Sequence, residues 1–96
     1  MRGKATWLCD PPKWTRCTGG YPENSLVAAA GSELRKWLGK RVTVCRLVRG
    51  KDPCVRVRLV DTCACKADRI IDLYAVAFRR LAPQSAGVID VRVYVK

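Results

Sequence analysis

Residues 41–61 read RVTVCRLVRGKDPCVRVRLVD, and no other run limits the fold so strongly. Residues 41–48 and 54–61 each alternate apolar with polar side chains, the period of a strand with one face buried. Gly50 and Pro53 mark a turn between them. Cys45 and Cys54 flank that turn and are expected to face each other across a hairpin. Residues 3–8 and 88–96 read as further short strands, and residues 9–24, rich in Pro, Gly and Thr, as a long loop. Residues 25–38 carry helical signals. LVAAA is apolar throughout, and SELRKWLG reads as one or two turns between an N-cap at Ser32 and a terminator at Gly39. Residues 73–81 have helical spacing and stop before Pro83. Several short strands without a βαβ rhythm imply a small barrel or sandwich. Ninety-six residues allow one core, so residues 1–96 are expected to form a single domain.

Six cysteines in so short a chain imply disulfide staples, which persist in oxidising compartments. The protein is therefore expected in an extracellular, periplasmic or virion setting. Residues 1–96 show no secretory leader and no membrane-spanning run, so delivery is expected to depend on a leader outside these residues or on a virion. Cys63 and Cys65, if extended, would hold their side chains roughly 6.5–7 Å apart on one face, too far for an unstrained bond. They are expected to reach back to Cys9 and Cys17, pinning the N-terminal loop. The alternative pairs Cys9 with Cys17 and Cys63 with Cys65. A four-cysteine zinc site is a third reading, disfavoured by the CxC spacing and the absence of His. No metal or other cofactor is expected.

Nineteen Lys and Arg against eight Asp and Glu give a net charge of +11. Such a surface concentrates polyanions. Arg35, Lys36, Lys40, Arg41, Arg46, Arg49, Lys51, Arg56 and Arg58 would make one patch if the hairpin faces outward. A basic exterior suited to an anionic cell wall is preferred over nucleic-acid binding.

Two carboxylates end apolar runs. Val55, Val57 and Leu59 share one face of their strand, and unbroken alternation places Asp61 on that inward face at the rim. Partial desolvation there would raise its pKa and favour a proton-donating acid; a bulge would reverse the parity. Asp72 precedes LYAVAFRRL, where an Asp also serves as a helix N-cap. Trp7, Trp14 and Tyr21 could stack on sugar rings. Trp37 is expected in the core, Trp7 in the core or at the site, and Trp14 in solvent.

GKATW, AAAGSELR, VRLVDTC and RIIDLYAVAFRRLAP followed by AGVIDVRV occur in this order and cover nearly the whole chain. Together they resemble the double-psi β-barrels of the rare lipoprotein A, expansin and barwin type, with rare lipoprotein A nearest. The resemblance implies a mainly β, six-stranded, disulfide-stabilised barrel with one or two short helices and a glycan groove across one face. It also implies that Thr6 lines this groove, with Asp61 as its first carboxylate and Asp72 as its second. Ile70 and Ile71 replace the bulky His that precedes the second Asp in plant expansins. Thr6, Trp7 and Leu8 stand where related endoglucanases place a base, and Asp10 lies beyond Cys9 in the loop. The partner domains of these families lie outside residues 1–96, so affinity is expected to come from the barrel, acting as a monomer. The implied activity is lytic transglycosylation of peptidoglycan, with Asp72 as acid/base. The alternatives are a non-lytic, expansin-like loosening module and a wall-docking virion component.

Overall fold

The computed structural model describes residues 1–8, 25–48, 50, 52–65 and 68–95. Six strands close into a barrel: β1 (Arg2–Leu8), β2 (Val27–Ala30), β3 (Arg41–Arg46), β4 (Cys54–Thr62), β5 (Arg69–Tyr74) and β6 (Ile89–Val95). Their order around the barrel is β1-β5-β2-β4-β3-β6, and β6 closes back onto β1. β1 with β5 and β2 with β4 run parallel; the other pairs are antiparallel.

Alternation builds the interior as the sequence implies. Val42 and Val44 of β3, Val55, Val57 and Leu59 of β4, and Val91 and Val93 of β6 are all buried in one cluster. The β3–β4 hairpin is latched where expected: Cys45 lies opposite Cys54 and the two are disulfide-bonded. Ala5, Ala28, Ala30, Ile71 and Leu73 complete the barrel lining, with Leu34 and Phe78 packed into the same core.

Residues 27–30 form a strand rather than helix. β2 pairs with β4 on one side and β5 on the other, and all four of its residues are buried. A strand covered on both faces shows no polar alternation, so VAAA carries no period-2 signal. Ser32 likewise is not the N-cap. Gly31 holds that position before the 3-10 helix Ser32–Trp37, which ends with Gly39 at φ 85°. Gly31 donates its N–H to the carbonyl of Ile70 at 2.8 Å, and a Cβ there would lie 2.8 Å from that oxygen, so only glycine fits. The predicted helix of residues 73–81 shrinks to one turn, α1 (Ala75–Phe78), because β5 extends through Tyr74.

Two strands contain an extra residue. On β5, Lys4 pairs with Arg69 and Ala5 with Ile71, which leaves Ile70 as a bulge. On β4, Ala28 pairs with Leu59 and Ala29 with Asp61, which leaves Val60 as a bulge. Bulges reset which face the following side chains take. Each of these two lies one or two residues before an aspartate.

Candidate functional site

The registers assemble one cross-strand row. Thr6 of β1 pairs with Asp72 of β5, Asp72 with Ala29 of β2, and Ala29 with Asp61 of β4. Ile71, Leu73, Ala28 and Ala30, on either side of these positions, point into the barrel. The row Thr6–Asp72–Ala29–Asp61 therefore lies on the outward face. Here the sequence expectation for Asp61 is corrected: the Val60 bulge reverses its parity and turns it outward. Asp61 is half-buried, and its carboxylate accepts the backbone N–H of Thr62 at 2.7 Å.

Asp72 is held more tightly. The Thr6 hydroxyl donates to its Oδ1 at 2.9 Å. Burial pushes the Asp72 carboxyl above its ordinary value; the Thr6 hydrogen bond and the charge of Arg69 pull the other way without cancelling it. The desolvated acid that the sequence assigned to Asp61 is thus found at Asp72. The N-cap reading of Asp72 is excluded, since α1 begins at Ala75 with Tyr74 at the cap position. Asp72 lies within a strand, where a charged residue must answer to something other than local helix chemistry.

A cleft of about 250 Å³ opens over this carboxyl, lined by Thr6, Cys63, Ala64, Cys65, Arg69 and Asp72. One wall is a disulfide between Cys63 and Cys65, whose Cα atoms are 5.1 Å apart. The pairing that sends both cysteines to Cys9 and Cys17 is therefore wrong. Residues 63–65 have left β4, so the chain turns and brings the pair closer than an extended segment would. The Cys63 backbone N–H donates to the carbonyl of Ala30 at 2.9 Å, and an Arg35 guanidinium N–H donates to the carbonyl of Cys63 at 3.4 Å, which anchors the wall.

Trp7 takes the opposite face of β1 from Thr6. It packs against the core, and its indole N–H donates to the carbonyl of Gln84 at 3.0 Å. Trp37 also packs on the core, with the Lys36 ammonium 4.5 Å from its ring centroid. Cys9, Asp10, Trp14, Cys17 and Tyr21 lie outside the described residues. Two contributors escaped sequence reading, Arg69 as the cation beside Asp72 and Ala29 as the small floor residue between the aspartates; the Cys63–Cys65 bond is the alternative pairing the sequence left open, and it forms the cleft wall. Arg69 opens the RIID run, three residues before Asp72; only the bulge at Ile70 explains how both reach one cleft.

A family model described as lytic transglycolase matches residues 2–93. The chain is 38% identical over 80 residues to Expansin-like protein 3 of Dictyostelium discoideum, a match covering 78% of this chain and 24% of that protein. Among solved structures, an Asp-to-Asn mutant of the Clavibacter michiganensis expansin in complex with cellohexaose superposes with a TM-score of 0.73. It is 24% identical, and the match covers 99% of this chain and 49% of that one, a likeness of fold. The Streptomyces papain inhibitor superposes with a TM-score of 0.63 at 27% identity, covering 98% of this chain and 93% of that one. The chain thus spans about a quarter of the Dictyostelium protein and about half of the Clavibacter expansin. With its closed six-stranded barrel and a match from residue 2 to 93, the chain belongs to the double-psi β-barrel family of the rare lipoprotein A and expansin superfamily.

Proposed function

We propose that this barrel acts on cell-wall polysaccharide at the Thr6–Asp72 cleft, by lytic transglycosylation of peptidoglycan with Asp72 as the one acid/base. The observation that carries the reading is the state of Asp72. Burial raises its carboxyl above the ordinary value, Thr6 positions it, and it is the one carboxylate lining the cleft among the described residues. Asp61 stands two strand spacings away across Ala29, roughly 9.5 Å between backbones.

In this scheme the protonated Asp72 donates to the glycosidic oxygen as the bond from the anomeric carbon to that oxygen breaks. The resulting Asp72 carboxylate then takes the proton from a hydroxyl of the same sugar, whose oxygen closes on the anomeric carbon to give an anhydro ring. The proton lost in the first half is regained in the second, and no water is consumed. Thr6 holds the carboxyl in place, and Asp61 lies on the path of an extended glycan across the row. An extracytoplasmic location fits the Cys45–Cys54 and Cys63–Cys65 disulfides.

The test is digestion of purified peptidoglycan, both intact and stripped of its peptides, with a search for anhydro-muropeptides. Failure to release product from any wall type would sink the enzymatic reading. A second reading, non-lytic binding and loosening, is favoured by the 38% identity to an expansin-like protein and by the cellohexaose complex of the Clavibacter fold relative. Co-sedimentation with insoluble glycan, without anhydro-sugars or new reducing ends, would select it.

A further inference from the structure

The outward face of β4, β3 and β6 forms a second constellation. In β3, Val42 and Val44 point inward, as do Val55 and Val57 in β4 and Val91 and Val93 in β6. The residues between them therefore point out, and the registers set them in rows: Arg58 opposite Arg41, Arg56 beside Thr43 and Tyr94, and Cys54 beside Cys45 and Arg92. These three rows carry four arginines and no carboxylate. Arg41 directly opposite Arg58 is a like-charge pair that weakens a ladder. Among the described residues none of the four arginines is ion-paired with a carboxylate, whereas Lys4 and Asp90 do form a salt bridge at 2.7 Å. Two adjoining hollows of about 490 and 410 Å³ open on this face, and Arg41, Arg56 and Arg58 line both. These hollows are larger than the Asp72 cleft.

We infer that this face is a binding site for acidic polysaccharide, a sugar chain carrying repeated carboxylate or phosphate groups. Arg56 and Arg58 follow one another on one face at roughly 6.5–7 Å, and Arg41 flanks Arg58 across the ladder. Planar guanidinium groups so spaced donate to successive oxyanions in bidentate fashion, and a bound anion also relieves the Arg41–Arg58 repulsion. Tyr94, 48% exposed in the row of Arg56, offers an aromatic ring to a sugar face. β4 continues from Arg58 to Asp61, so a polymer lying on the arginines extends toward the row of Asp72. Duplex nucleic acid fits less well. The face is the side of a closed sheet rather than a helix or ribbon that enters the major groove, so duplex contacts there would be limited to backbone phosphates.

The experiment measures binding of the intact chain to polygalacturonate, to phosphomannan, to fully methyl-esterified polygalacturonate and to a short DNA duplex. Each is compared for the unmodified protein, for Arg41→Gln/Arg56→Gln/Arg58→Gln, and for the same three positions changed to Lys. The unmodified protein should bind one or both acidic polysaccharides, with affinity falling as salt rises, and should not bind the esterified chain. The Gln triple should lose about tenfold or more, and the Lys triple should fall between it and the unmodified protein, because charge remains but the bidentate fork is lost. If the Gln triple loses its thermal transition, Arg56→Gln alone replaces it. Arg80→Gln, at an exposed arginine outside these rows, should bind the acidic chains unchanged, which separates this face from bulk positive charge. No binding to either acidic chain, equal binding to the esterified one, unchanged binding by the Gln triple or its Arg56→Gln replacement, or tighter binding to the duplex would each overturn the inference.

Discussion

Replacing Asp72 by Asn isolates the acid/base role more cleanly than any other change. The side chain keeps its shape, and its Oδ1 can still accept the Thr6 hydroxyl. Two effects on stability oppose each other. A hydrogen bond to a charged acceptor contributes about 1.5–3 kcal/mol and one to a neutral acceptor about 0.5–1.5, so the Thr6 bond weakens by about 1 kcal/mol. Against this, Asn carries no charge, so the burial that raises the Asp72 pKa no longer penalises an ionised group. The net change near neutral pH should be under about 1 kcal/mol, or under about 6 °C in Tm for a domain of this size. The sign with pH follows from the raised folded pKa. Below the ordinary Asp value Asp72 is protonated in both states, and its contribution is fully present. As pH rises through the folded pKa that contribution is lost, so Asp72→Asn should gain stability relative to the unmodified protein over that window. Turnover should fall by about 10²–10⁴, the usual size for removing a proton-transfer group. The assay pairs thermal unfolding from pH 3 to 8 with release of anhydro-muropeptides. Retained activity would refute the acid/base role. A loss of several kcal/mol would show that Asp72 holds the fold instead.

Thr6→Val removes the hydrogen bond that lowers the Asp72 pKa, so the protonated form should persist to higher pH and the alkaline limb of the pH–rate profile should move up. Gly31→Ala should destabilise by about 1–3 kcal/mol in thermal unfolding, because its methyl meets the Ile70 carbonyl, a backbone atom held by β5; an unchanged Tm would contradict the close approach. The Cys45–Cys54 and Cys63–Cys65 disulfides should separate stability from activity. Loop-closure entropy gives about 2.7 kcal/mol for Cys45–Cys54, with a sequence separation of 9, and about 1.6 kcal/mol for Cys63–Cys65, with a separation of 2. Chemical denaturation of Cys45→Ser/Cys54→Ser should therefore show the larger loss, while Cys63→Ser/Cys65→Ser, which opens the cleft wall, should show the larger loss of turnover.

What the sequence made legible was local. Alternation placed β3, β4 and β6, and cysteines flanking a Gly/Pro turn placed the Cys45–Cys54 bond. Ordered motifs brought Thr6, Asp61 and Asp72 forward together, and the registers align them in one row. What stayed hidden depends on neighbours distant in sequence. Val27–Ala30 is a strand because β4 and β5 flank it, which four small apolar residues do not announce. Asp61 faces outward because Val60 bulges, and a valine in a valine-rich strand carries no mark of a bulge. Cys63 and Cys65 pair because the chain leaves β4 and turns, whereas the spacing argument assumed an extended path.

The seam between β1 and β6 has a consequence for how the protein acquires its shape. Met1 donates its amino group to the carbonyl of Val93 at 3.0 Å and accepts the N–H of Val93 at 2.7 Å, so the first residue is stitched to one ninety-two positions later. β1 also waits for β5, more than sixty residues downstream, for its parallel partner. A nascent chain still lacking β6 leaves β1 and β3 as open edges, and unpaired edges are sticky. Pairings so remote also carry a large chain-entropy cost before any contact repays it. The barrel should therefore fold slowly for its size and only after synthesis has passed β6, so the interval before that strand docks is when the chain is most exposed to misassembly.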